Sequence, residues 1–125
     1  MKRDMDVVRE LLLRIEAAPQ RPSWKAIVTS TDDAVSDNEL WHLKLMEDAG
    51  LVASKPIFFQ GHRLPEMLEI TWEGHDFLDS VRDPKIWEKT KKGAEAAGGF
   101  TLELMKDLAK GLLKKQVEEF TGVKL

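Results

Sequence analysis

His75 and Asp79 stand four residues apart in one helical stretch, a spacing that can aim two ligands at a single metal ion. No third ligand follows, because His62 falls in a turn and His42 in a different helix, so no metal site is expected. The chain has no cysteine, which excludes disulfides, thiolate ligands and thiol nucleophiles together. No glycine-rich phosphate loop, two-histidine zinc helix or Ser–His–acid set appears. Acid–base groups abound in a chain with 33% charged residues, so their presence decides nothing. The expectation is a protein that is not an enzyme and holds no cofactor.

What remains is contact chemistry. Asn38, Trp41 and Lys44 share one predicted helix, and Lys55, His62 and Arg63 lie in a predicted hairpin. Lys44, His62 and Arg63 are of the types that neutralise phosphates, and an asparagine such as Asn38 can read an adenine edge. Trp41 on a helix with Asp37, Glu39, Glu47 and Asp48 instead suits a protein partner.

The elements that must position these residues follow from local rules. Met5, Val8, Leu12 and Ile15 recur at helical spacing, and Pro19 ends that helix near Ala18. Trp24, Ile27 and Val28 suit a short strand over residues 23–29, followed by a polar break at 30–33. Ser36 and Glu39 have capping-box spacing, which predicts a helix over 36–49 that stops at Gly50. A hairpin then runs out from Leu51 to Phe59, turns at residues 60–63 and returns through Met67 to Ile70. Thr71 caps the next helix, with Phe77, Leu78 and Val81 on its apolar face. Asp83-Pro84 opens another, and Thr101 caps a last one bearing Leu104, Met105, Leu108, Leu112, Val117 and Phe120. The four tryptophans, Trp24, Trp41, Trp72 and Trp87, are read as core residues at a seam.

The architecture expected is α+β: helix, short strand, helix, β-hairpin wing, with a C-terminal helical extension. Residues 1–82 form the winged-helix-like domain, and 83–125 form the extension, placed against that domain or a second copy. The stretch before Ser36 leaves little room for a middle helix.

Charge separates the two parts. Residues 1–81 hold 9 Lys/Arg against 15 Asp/Glu, and residues 82–125 hold 10 against 7. Nucleic-acid binding normally leaves a basic footprint, so DNA is disfavoured as a partner despite the contacts named above. A protein partner docked on the acidic helix, and a homodimer through the last helix, are the competing readings. Lys106, Lys110 and Lys114 form a ladder on that helix, but its acidic residues dilute the charge and no membrane partner is expected. The absence of disulfides and of long apolar runs points to the cytoplasm.

Four motifs carry a family resemblance: Met1-Lys2-Arg3-Asp4-Met5-Asp6, His42-Leu43-Lys44-Leu45 with Ala49-Gly50-Leu51, Thr71-Trp72-Glu73-Gly74-His75-Asp76-Phe77-Leu78-Asp79, and Arg82-Asp83 with Ile86-Trp87. With them the chain resembles the domain of unknown function 2513 family, met in bacterial and prophage genomes. The resemblance implies a winged-helix-like fold with a helical tail. It brings no established activity and no catalytic residues.

Overall fold

The computed structural model describes residues 1–29 and 33–125, with the side chains of 33–36 left aside. Its elements are α1 (Met5–Ala17), α2 (Trp24–Ile27), α3 (Asp33–Asp48), β1 (Val52–Phe59), β2 (His62–Ile70), α4 (Trp72–Val81), α5 (Pro84–Ala96) and α6 (Leu102–Thr121). They divide into two compact units, Met1–Asp76 and Phe77–Leu125. The class is α+β, with one two-stranded antiparallel sheet among the described residues.

In the first unit the Asp4 carboxylate caps α1 by accepting the Asp6 N–H at 2.9 Å. Ala18 is extended, as a residue before proline must be, and the helix stops there. The face bearing Met5, Val8, Leu11, Leu12 and Ile15 is buried, and α1 touches α2, α3 and β2.

Residues 23–29 do not form the expected strand. Ser23 caps a single helical turn, α2, through the Lys25 N–H, and only Ile27 of that turn is buried. One turn is what the chain has room for, and its Trp24–Ile27 spacing of three suits a helix as well as a strand. The sheet-like part of the reading survives as isolated bonds: Leu68 N–H donates to Pro22 O at 2.9 Å, and Ser23 Oγ donates to Glu66 Oε1 at 2.9 Å. A short middle helix therefore does fit between α1 and α3.

Helix α3 begins at Asp33, so Ser36 lies inside it rather than at its cap. The Ser36 side chain lies outside the described residues, as does the polar break at 30–32. Glu39 is held from outside its own helix. It is 7% exposed, and it accepts from Arg14 Nη1 at 3.0 Å, Thr29 N–H at 3.2 Å and Thr29 Oγ1 at 3.0 Å. A buried carboxylate needs such partners to offset lost hydration. The capping box gives way to a tie between α1, α3 and the end of α2.

His42 makes a second tie. Its Nδ1 lies 2.8 Å from Asn38 O and its Nε2 accepts the Asp4 N–H at 2.9 Å. Because the Asp4 amide can only donate, the ring carries its proton on Nδ1 and donates it to Asn38 O. Gly50 (φ 78°) then ends α3, with Leu51 N–H reaching back to Met46 O at 2.9 Å.

The hairpin reverses through two residues rather than four. Gln60 (φ 49°) and Gly61 (φ 78°) are both left-handed, the conformation that matches the twist of a tight hairpin. The register shifts between Ala53 and Lys55, with Met67 on β2 at φ 53°: a bulge that bends the strands. Val52 and Leu68 near the base are buried.

Thr71 joins β2 to α4 as expected. Its Oγ1 accepts Gly74 N–H at 3.0 Å and contacts Leu51 O at 3.0 Å, while its own N–H donates to Leu51 O at 3.0 Å. Gly74 is required by this close approach, since a Cβ there would sit 2.0 Å from Leu51 O.

In the second unit Asp83 caps α5 through the Lys85 and Ile86 amides, with Pro84 at the first helical position. Helix α6 is capped by Thr101 and packs antiparallel on α5. A Cβ added at Gly93 would lie 3.3 Å from Leu108 of α6, so the helices approach closely there. Ile86, Trp87, Thr90 and Ala94 of α5 are buried with Met105 and Ala109 of α6. Trp72 is 83% exposed, so the core reading of that tryptophan is overturned; Trp87 is buried.

Candidate functional site

Two adjoining surfaces of the first unit carry the residues singled out from sequence. The first is the outer ridge of α3, formed by Asp37, Trp41, Lys44 and Asp48 at helical intervals of four, three and four. Asp37, Lys44 and Asp48 are exposed and Trp41 is half-buried, its ring meeting His42 edge-on at 5.2 Å. The Lys44 ammonium is paired with Asp48 one turn on. Asn38 is half-buried and its carbonyl holds the His42 ring.

The second surface is the hairpin. Strand pleating divides its residues between two sides. Ser54 and Arg63 fall on the side toward α3, where both bond Glu47. Arg63 Nη1 and Nη2 reach the two carboxylate oxygens at 2.7 and 3.0 Å, and Ser54 Oγ donates to Oε1. This planar fork is the strongest ion-pair geometry available to a carboxylate. Burial pushes the Glu47 carboxyl up, but the hydrogen bonds from Arg63 and Ser54, with the charges of Arg63 and Lys44, outweigh it. The net effect holds Glu47 below its ordinary value of 4.5. The same hydrogen bond raises Arg63. Arg63 is thus a brace between hairpin and helix.

On the other side the register pairs Lys55 with Glu66, Ile57 with Leu64 and Phe59 with His62. Lys55 and His62 are exposed. So are Ile57 (51%) and Phe59 (61%) on this side, and Phe58 (74%) on the Arg63 side. Sequence reasoning fixed on the cations and missed this apolar tip. The signal was present: three consecutive apolar residues at a hairpin end cannot all face one core when side chains alternate.

The structure therefore places Lys55 and His62 on the same outer face, four strand positions apart, commits Lys44 and Arg63 to carboxylates, and leaves Asn38 half-covered. Among the described residues no three His, Asp or Glu side chains converge as metal ligands. Asp79 is paired with Arg82 at 2.9 Å. In the second unit a cleft of about 260 Å³ between α5 and α6 is lined by Lys85, Lys89 and Lys115 but also by Asp83 and Glu119. Opposed charges of that kind favour no particular ion. Among the described residues no helix is long and apolar enough to cross a membrane.

An uncharacterized protein of Haemophilus influenzae is 25% identical over 122 residues, spanning 94% of this chain and 99% of its own length. No solved structure matches the chain. The family described as hypothetical protein DUF2513 matches residues 2–100, which takes in α1 through α5 and stops just short of α6. With most of its length matched, the chain belongs to the domain of unknown function 2513 family.

Proposed function

We propose that this chain is a non-enzymatic, winged-helix-like interaction module of the bacterial cytoplasm that docks a protein surface through its hairpin and the outer ridge of α3. The order helix, helical turn, helix, hairpin supports the winged-helix part of the reading. One observation carries the choice of partner class. The cations a DNA reader would aim at phosphates are tied within the chain, Arg63 to Glu47 and Lys44 to Asp48, while Ile57, Phe58 and Phe59 stand exposed. A phosphate would have to displace a bidentate carboxylate to reach Arg63. The first unit also carries 9 Lys/Arg against 14 Asp/Glu, a net −5 that repels a polyanion. An exposed apolar cluster rimmed by polar groups is the ordinary mark of a protein contact.

Exposed Lys55 and His62 favour a second reading, in which the hairpin touches nucleic acid. Fluorescence titration of a labelled duplex at low and high salt separates the two. The protein-docking reading expects no saturable binding at low salt. Saturable binding that weakens with salt and is lost in Lys55→Gln replaces it with the nucleic-acid reading.

A further inference from the structure

We infer that Glu47 is a specificity-determining residue: it masks Arg63, bars polyanions from the hairpin and so leaves that surface to protein partners. This rests on the protein-docking reading above and names the residue that sets the partner class.

Taken by itself, the hairpin has the composition of a phosphate-binding surface. Residues 51–65 contain Lys55, His62 and Arg63 and no Asp or Glu. The carboxylates that answer these cations come from outside the stretch. Glu66 stands opposite Lys55 in register and accepts from Ser23. Glu47 comes from α3 and takes the Arg63 fork at both of its oxygens. The two pairings differ in strength. Lys55 is an exposed ammonium on a flexible stem, and the carboxylate opposite it is already hydrogen-bonded elsewhere. The Arg63 and Glu47 side chains are only 28% and 12% exposed, so salt screens their pairing far less.

Glu47 is also fixed in place. Ser54 Oγ on β1 donates to Oε1 while Arg63 on β2 donates to both oxygens, so the two strands grip one carboxylate. Its lowered value keeps it ionised near neutrality. The carboxylate occupies the paired N–H donors that suit a phosphate, and its charge cancels the one that would attract a phosphate. The other ion pairs of α3 touch no hairpin cation: Glu39 is tied to Arg14, and Lys44 to Asp48 on the exposed ridge. A surface discriminates between partners by what it repels as well as by what it attracts. With Glu47 in place the hairpin's single arginine is closed to phosphate, while Ile57, Phe58 and Phe59 keep their access to an apolar surface.

Fluorescence anisotropy of a labelled DNA duplex, titrated with the full chain at low and high salt, tests this, with far-UV circular dichroism to confirm folding. Glu47→Gln keeps the side chain's length and removes its charge; Glu47→Ala is measured beside it, so that a folded chain without the carboxylate is in hand. The wild-type chain should show no saturable binding at low salt. Both Glu47 variants should bind at least about tenfold more tightly than the wild-type curve allows, and the binding should weaken with salt by about one phosphate contact's worth. Glu47→Gln combined with Arg63→Gln should lose that gain. Asp37→Asn removes an exposed carboxylate from the same helix without touching Arg63, and should behave as wild type. Glu47 variants that fold and gain no binding overturn the proposal and leave the protein-docking reading standing. An equal gain in Asp37→Asn, or one that survives Arg63→Gln, also overturns it, because bulk charge then explains the effect. Saturable binding by the wild-type chain instead removes the reading on which the proposal rests.

Discussion

The base and the tip of the hairpin are built from similar residues and have opposite fates. At the base, Val52 and Leu68 are buried, Leu68 N–H is held by Pro22, and Thr71 and Gly74 close the strand ends onto Leu51. At the tip, Ile57, Phe58 and Phe59 are as apolar as anything in the core and stand in solvent. The base is crossed by other elements, whereas near the tip Arg63 ties one side of the hairpin to Glu47 of α3 and Ile57, Phe58 and Phe59 stay exposed. Two paired strands cannot bury both faces of their own side chains. The difference teaches that hydrophobicity at the base supports folding and hydrophobicity at the tip does not.

Substitutions can break or sharpen that contrast. Gly74→Ala should have the largest effect, above about 4 kcal/mol by urea unfolding or outright failure to fold. Its Cβ would collide with backbone, which cannot swing aside as a side chain could. Leu68→Ala should cost about 3 kcal/mol, the usual loss for an emptied leucine site. Equal losses from Phe59→Ser would erase the distinction between base and tip.

Glu47→Gln tests the brace between the hairpin and α3 and should cost about 1–2 kcal/mol near neutrality. Its sign with pH is fixed by the lowered Glu47 value. The pairing stabilises the fold in full above the ordinary value of 4.5 and is lost as pH falls through the lowered one. The acid limb of the stability curve should therefore flatten in Glu47→Gln. A limb of unchanged slope assigns acid sensitivity to other carboxylates. Smallest of all, Phe58→Ser should move the urea midpoint by no more than about 0.5 kcal/mol, as an exposed site does.

Elements set by adjacent residues were legible in the sequence. Asp83-Pro84, Thr101, Gly50 and Thr71 each act within a few residues of themselves, and the structure places them at the helix ends expected. Readings failed where a partner lay far along the chain. Glu39 matched a capping box by spacing, but Arg14, 25 residues away, claims it. Trp24, Ile27 and Val28 have strand-forming side chains, yet the available length and the Ser23 cap produced a helical turn. Among the contact residues, Lys44 with Asp48 could have been paired from their spacing of four. Arg63 with Glu47 could not, because 16 residues and a strand register separate them. The exposed tip was legible only as an excess of apolar residues beyond what alternation can bury.

Gln60 adds a consequence in time. Its left-handed backbone costs a non-glycine residue about 1 kcal/mol, so the turn is held against a local preference. The hairpin should fray from that end, opening and reclosing on the microsecond scale of hairpin formation. Amide hydrogen exchange should then grade along the strands, fast around Phe59 and His62 and slowest at Val52 and Leu68. A partner arriving at the tip meets an ensemble of open and closed hairpins, and whatever closes it lengthens the stay.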